Sequence, residues 1–113
     1  MKLIKAYIRK RKIEDVYQAL NKEGYCCMTF VECEGTGRYS DKETEHISEK
    51  FPFAQAYPVV KLEILVADEH VEEVIKIIRQ SGRTGYKGDG MIIVSPVESA
   101  FKVRTDEEGI LAI

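Results

Sequence analysis

Ile4-Lys5-Ala6-Tyr7-Ile8 and Leu62-Glu63-Ile64-Leu65-Val66 decide the fold, because the second stretch repeats the first at an offset of 58 residues. The same register sets Ile13-Glu14-Asp15-Val16 over Val71-Glu72-Glu73-Val74, Ala19-Leu20 over Ile77-Ile78, and Gly24 over Gly82. Each half therefore reads as an apolar strand, a few charged residues and a helix with apolar positions at helical spacing, closed by a glycine suited to a C-cap. Further strands are expected at Met28 to Val31 and Met91 to Val94. The chain is thus β-α-β twice: an α+β, ferredoxin-like βαββαβ arrangement, a duplicated split βαβ whose antiparallel sheet carries two helices on one face. The other face is left bare, and a bare apolar sheet face usually finds a partner chain, so an oligomer is expected.

The material outside the duplication is where function is expected. From Thr36 to Tyr57 the sequence is polar, charged and aperiodic until Phe51-Pro52-Phe53, with Gly35 and Gly37 at its root. Excursions of that length inside a compact domain are uncommon and tend to be functional. Gly82-Arg83-Thr84-Gly85-Tyr86-Lys87-Gly88-Asp89-Gly90 holds half of the eight glycines. Two readings are open for it. Dense glycines let backbone N–H groups approach an anion, which makes a phosphate cradle; the same glycines also serve a connection that only turns. After Thr105 the tail is acidic and then apolar, which suits an arm packing on a neighbour.

Length and composition set the bounds. The 113 residues, 44% hydrophobic, make one domain's worth of chain. No stretch reaches the roughly 18 to 20 apolar residues of a membrane span, and the Met1-Lys2-Leu3-Ile4-Lys5 start does not read as a signal peptide, so a cytoplasmic protein without direct membrane insertion is expected. Three cysteines without zinc-like spacing (Cys26, Cys27, Cys33) are expected to be small buried hydrophobes. The net charge of -2 argues against nucleic acid as a partner, and Arg9-Lys10-Arg11-Lys12 reads as a solvated strand end.

Cations stand near both glycine clusters: Arg38 beside Gly37, Arg83 and Lys87 in the second, and Lys102 with Arg104, whose alternation places both on one face of an expected last strand. Such a pair either neutralises a phosphate or decorates a solvated edge. The P-loop pattern and the third glycine of a dinucleotide fingerprint are missing. Catalysis has little support. His46 and His70 have no partner at a spacing that implies a base or metal site, the only asparagine is Asn21 inside the first helix, and no strand carries the aromatic pattern of RNA readers on this fold.

Taken together, the opening strand, Met28-Thr29 leading to Gly35-Thr36-Gly37-Arg38, Pro58 to Ile64, Arg83-Thr84-Gly85 through Gly88-Asp89-Gly90, Val94-Ser95-Pro96-Val97-Glu98, and Val103-Arg104-Thr105 before a tail ending in Ala-Ile resemble the PII signal-transduction family. The resemblance implies a non-enzymatic homotrimer that binds adenine nucleotide between subunits and regulates a protein target, a transporter or metabolic enzyme of nitrogen or carbon metabolism. It makes Thr36 to Tyr57 the T-loop that inserts into targets, Gly82 to Gly90 the B-loop and the segment after Thr105 the C-loop. It implies nucleotide contacts from Thr29, Gly35, Thr36, Gly37, Arg38, Glu63, Leu65, Gly88, Asp89, Gly90, Lys102 and Arg104.

Departures from the family pattern qualify the ligand. Tyr39 stands where a glutamine helps hold magnesium and 2-oxoglutarate, and Val59 where a lysine pairs with 2-oxoglutarate; both count against those two ligands. Tyr86 and Met91 replace lysines near the phosphates, and each lost charge-assisted bond forfeits about 1.5 to 3 kcal/mol, which favours ADP or AMP over MgATP. Phe51 falls near the position of a modifiable tyrosine and has no hydroxyl to uridylylate. Two alternatives accompany the nucleotide sensor: a structural trimeric module that has lost ligand binding, and a variant sensing another small anion such as bicarbonate.

Overall fold

Alternation of apolar and other residues along the first strand builds the sheet from its centre. In the computed structural model, which describes residues 1–38 and 41–113, β1 spans Lys2–Arg9 and buries Ile4, Ala6 and Ile8 on one face. The register pairs Ile4 with Ile64, Ala6 with Leu62 and Ile8 with Val60 on β4 (Gln55–Val66), so both strands present their apolar set to the same side. β2 (Met28–Gly35) pairs antiparallel with the other edge of β4, and β5 (Met91–Pro96) with the other edge of β1. The order β2-β4-β1-β5 is the ferredoxin-like one, and a two-residue strand, β3 (His46–Ile47), pairs with the start of β4.

Two helices cover the apolar face. α1 (Ile13–Lys22) contributes Val16 and Leu20, and α2 (Val71–Gly82) contributes Val74 and Ile78, each pair four residues apart and so one above the other on its helix. Both helices begin with two carboxylates, Glu14 with Asp15 and Glu72 with Glu73, which complement the positive end of the helix dipole. Leu62, fully buried at the centre, ties the layers together.

The two glycines of the duplication do different jobs. Gly24 has φ +92° just past α1, as a left-handed helix stop requires. Gly82 is instead the last residue of α2, and a Cβ there would lie 3.3 Å from the Val16 side chain, so it lets the helices approach rather than capping one. The strand expected at Met91 to Val94 runs on to Pro96, which pairs with Lys2, and the Val97 N–H still donates to the Met1 carbonyl at 3.1 Å. The tail then folds back on itself through a Phe101–Glu108 bridge, with the Lys102 N–H donating to the Glu107 carbonyl, so Lys102 and Arg104 lie in a turn and not on a strand.

The face of the sheet away from the helices carries Leu3, Lys5 and Tyr7 from β1, in register with Leu65, Glu63 and Lys61 from β4. Thr29 and Val31 of β2 extend it on one side, and Met91 and Ile93 of β5 on the other. Val31, Met91 and Ile93 on this face are exposed. The described residues contain no helix long and apolar enough to cross a membrane.

Candidate functional site: two loops on a buried arginine

Arg9 ends β1 with its side chain only 4% exposed, which corrects the reading of Arg9 to Lys12 as one solvated run. The guanidinium Nε donates to Asp89 Oδ1 at 3.0 Å, Nη2 to the Lys87 carbonyl at 2.6 Å, and Nη1 forms an ion pair with Asp41. The other three cations of the run also have partners: Lys10 with Glu32, Arg11 with Glu43 and Lys12 with Asp15. A buried guanidinium is tolerated because its rigid fork of donors is met by carboxylates and a carbonyl.

Asp89 is the hub of the 82–90 loop. Its carboxylate accepts from the Thr84 and Gly85 N–H groups, each at 3.0 Å, from the Thr84 hydroxyl and from Arg9. Burial works against its charge, but these donors outweigh it and hold the carboxyl down at about 2. Two amides offered to an external anion in the cradle reading are thus already spent on the chain's own carboxylate. The loop's shape still demands glycine: Gly85, Gly88 and Gly90 have φ of +90°, +100° and +100°. At Gly90 a Cβ would stand 1.7 Å from the Tyr7 carbonyl oxygen, so this loop lies directly on β1.

Asp41, 8% exposed, brings the root of the 36–57 segment to the same arginine. Its carboxyl is also held below the usual range, because the Arg9 hydrogen bond and the Glu43 N–H outweigh the burial that opposes its charge. Arg9 itself is raised, the two aspartates overcoming the desolvation of its charge. Further along, the buried Ser48 donates to Glu34 at 2.6 Å and accepts from the Phe51 N–H at 2.9 Å. Beyond that fastening, Phe51 and Phe53 meet edge to face with centroids 6.2 Å apart, and Phe53 is 89% exposed.

A cleft of about 770 Å³ opens between the two loops, lined by Arg9, Arg11, Arg38, Asp41, Lys42, Glu43, Gly85, Tyr86 and Lys87. It sets Arg38 beside the 82–90 loop. Thr29, Gly35, Thr36, Gly37, Glu63, Leu65, Gly88, Asp89, Gly90, Lys102 and Arg104 are not in its lining, and Asp89 and Gly90 instead line a second cavity of about 360 Å³ with Ile8, Ile78 and Arg79. Thr29 and Glu63 are instead direct cross-strand partners on the open sheet face, with Leu65 two residues beyond, and Glu63 pairs with Lys61 at 3.2 Å. Lys102 lies close enough to Cys27, two residues before Thr29, for its charge to favour the thiolate. The hydrogen bond between the Cys26 and Cys27 sulfurs nevertheless pushes the Cys27 thiol up. The candidate residues thus fall in separate places: Arg38 in the cleft, Gly88, Asp89 and Gly90 in the 82–90 loop beside it, Thr29, Glu63 and Leu65 on the open sheet face, and Lys102 with Arg104 in the tail.

Other expectations need correction or placement. Cys26 and Cys27 are exposed free thiols rather than buried hydrophobes, because they sit in the connection from α1 to β2. His46 is exposed yet hydrogen-bonded to the Thr44 carbonyl at 2.9 Å, and His70 to the Tyr25 hydroxyl at 3.1 Å. Of the family departures, Val59 is buried on β4, Tyr86 and Met91 are exposed, and Tyr39 lies outside the described residues. Arg9 and Asp41, central here, escaped the sequence reading. The available signal was Asp89 itself, since an aspartate between two glycines is placed to receive backbone N–H groups.

The βαββαβ order with two helices on one face defines a ferredoxin-like chain of the kind that carries its variable chemistry on loops. A family model described as Nitrogen regulatory protein P-II matches residues 1–107, and the chain belongs to that family. It is 38% identical to the Nitrogen regulatory protein P-II of Rhizobium meliloti (strain 1021) over 113 residues, all of both chains. It is also 38% identical over 110 residues to the Nitrogen fixation nifHD region GlnB-like protein 1 of Methanothermobacter marburgensis, covering 97% of this chain and 100% of that one. A P-II protein of Azospirillum brasilense is 36% identical over 109 residues, 96% of each chain. Members of this family are signalling and regulatory proteins of nitrogen regulation rather than enzymes.

Proposed function

We propose that the chain is a PII-like adenylate sensor: a homotrimer whose subunit interfaces hold an adenine nucleotide, and whose nucleotide state sets the grip of the 36–57 loop on a protein partner. The observation that carries this reading is the separation of the candidate residues between the loop cleft, the open sheet face and the tail. A site needing Arg38 and the 82–90 loop together with Thr29, Glu63, Lys102 and Arg104 is completed when the cleft of one subunit meets the open sheet face and tail of the next. The exposed apolar residues of that face, Val31, Met91 and Ile93, and of the tail, Ile110, Leu111 and Ile113, support burial against other subunits.

Within the cleft, Arg38, Arg11, Lys42 and Lys87 supply positive charge for phosphates, while Asp41 and Asp89 hold Arg9 in place. With Asp89 consuming the Thr84 and Gly85 amides, and Tyr86 and Met91 adding no charge, ADP or AMP is the preferred guest over MgATP. Buried Val59 offers no cation to a dicarboxylate, which counts against 2-oxoglutarate. The partner, a transporter or metabolic enzyme of nitrogen or carbon metabolism, would meet the apolar Phe51-Pro52-Phe53 turn. A nucleotide shifts that loop only as far as its affinity differs between loop states.

Titration calorimetry with ADP, AMP, ATP and cyclic AMP, with and without magnesium, 2-oxoglutarate and bicarbonate, tests the reading. Heat with ADP or AMP, lost in Arg104→Ala, is expected. Silence with every adenylate would leave the structural trimeric module, and a response to bicarbonate alone would leave the anion-sensing variant.

A further inference from the structure

Arg9 touches both long loops at once. Nε and Nη2 are held by Asp89 and the Lys87 carbonyl, at 3.0 and 2.6 Å, and Nη1 meets Asp41. Because the guanidinium is planar and rigid, fixing Nε and Nη2 fixes the direction in which Nη1 can offer its protons. Asp41 therefore docks where the 82–90 loop aims it. Neither charge is open to solvent, with Arg9 4% and Asp41 8% exposed, so water does not replace the contact cheaply when it breaks. The nearby Arg11–Glu43 pair, 3.3 Å long between half-exposed and largely exposed side chains, is screened and competes weakly.

We propose that Arg9 is a positioning residue that couples the 82–90 loop to the root of the 36–57 loop: a change in the first loop's hold on Arg9 alters the docking of Asp41, and the reverse. The proposal rests on the nucleotide reading only for the identity of the effector. The coupling itself belongs to the chain without ligand.

Amide hydrogen exchange in the nucleotide-free protein reads this directly, because the Thr84 and Gly85 N–H groups report on Asp89 and neither touches Asp41. In Asp41→Asn, exchange at Thr84 and Gly85 is expected to accelerate about threefold to tenfold, within the range of measured couplings between residues of one network. Arg9→Lys keeps the charge but loses the fork, so it should accelerate the same amides, and the double variant should exchange no faster than Arg9→Lys alone. Unchanged Thr84 and Gly85 exchange in Asp41→Asn, with effects confined to the residues around position 41, would overturn the proposal; so would independent, multiplying effects of the two substitutions. If Arg9→Lys fails to fold, the Asp41→Asn measurement decides alone. With ADP as the probe, reciprocity requires Asp41→Asn to change ADP affinity by the factor by which ADP changes the docking of Asp41. An absence of ADP heat in the unsubstituted protein would defeat the nucleotide reading while the exchange result stood.

Discussion

The two long loops meet at one arginine, yet they are built on opposite principles. The 82–90 loop turns inward: three left-handed glycines wrap it around Asp89, whose carboxylate takes the Thr84 and Gly85 amides and Arg9. The 36–57 loop turns outward: it is fastened at Asp41 and Ser48 and then displays Phe53 to solvent. A loop that already satisfies itself offers a ligand a formed surface at little ordering cost, whereas a loop fastened at points but bare at its tip leaves its apolar side chains for something else to cover. The difference assigns preorganisation to one loop and contact-making to the other, with Arg9 between them.

The largest effect is expected where the inward loop lies on β1. Gly90→Ala places a Cβ on the Tyr7 carbonyl and forces φ +100° on alanine, so displacement of the loop and a fall in thermal midpoint of 10 °C or more are expected by circular dichroism. Arg9→Met leaves two carboxylates without their cation; about 3 kcal/mol should be lost in urea unfolding, at the lower end of the cost of breaking a buried pair because Asp89 is a quarter exposed. Acid does part of the same work. A carboxyl held at about 2 contributes stability above the unfolded value of about 3.9 and loses it as pH falls through 2, so stability should drop between about pH 4 and 2 by on the order of 1 to 2 kcal/mol. Asp89→Asn should flatten that limb of the pH curve.

Gly85→Ala sharpens the comparison at lower cost. With φ +90° but open space around the added methyl, about 1 kcal/mol is expected, far from the Gly90 result. Equal losses at the two glycines would contradict the picture of a loop pressed onto β1 at one end. The smallest effect on stability belongs to the outward loop: Phe53→Asp should leave urea unfolding within about 0.5 kcal/mol while abolishing capture of the partner by affinity pull-down.

Much of this architecture was legible because it repeats. The alternation of Ile4, Ala6 and Ile8 against Leu62, Ile64 and Val66, and the four-residue spacing of Val16 with Leu20 and of Val74 with Ile78, are local patterns that burial then obeys. What escaped depends on pairing across the chain. Arg9 sits among three cations and shows its burial only once Asp41 and Asp89, 32 and 80 residues away, fold over it. Lys102 and Arg104 alternate like strand residues, but β5 ends at Pro96 before them, and a bridge that closes the tail is invisible to periodicity. Gly82 looked like a cap because glycine usually is one there, and only the helix crossing at Val16 gives it another role. The cysteines failed for a similar reason: hydrophobic character said buried, and a surface connection decided otherwise.

The most direct test of the central claim, a nucleotide site completed by two subunits, is ADP calorimetry on mixed assemblies. Arg38→Ala removes a cation from the cleft and Arg104→Ala one from the tail; each variant alone should give little heat. Co-expressed, the two chains should recover heat in proportion to interfaces that join an intact cleft to an intact tail. Recovery of ADP binding on mixing is the predicted result; heat no greater than that of either variant alone would contradict a site shared between subunits.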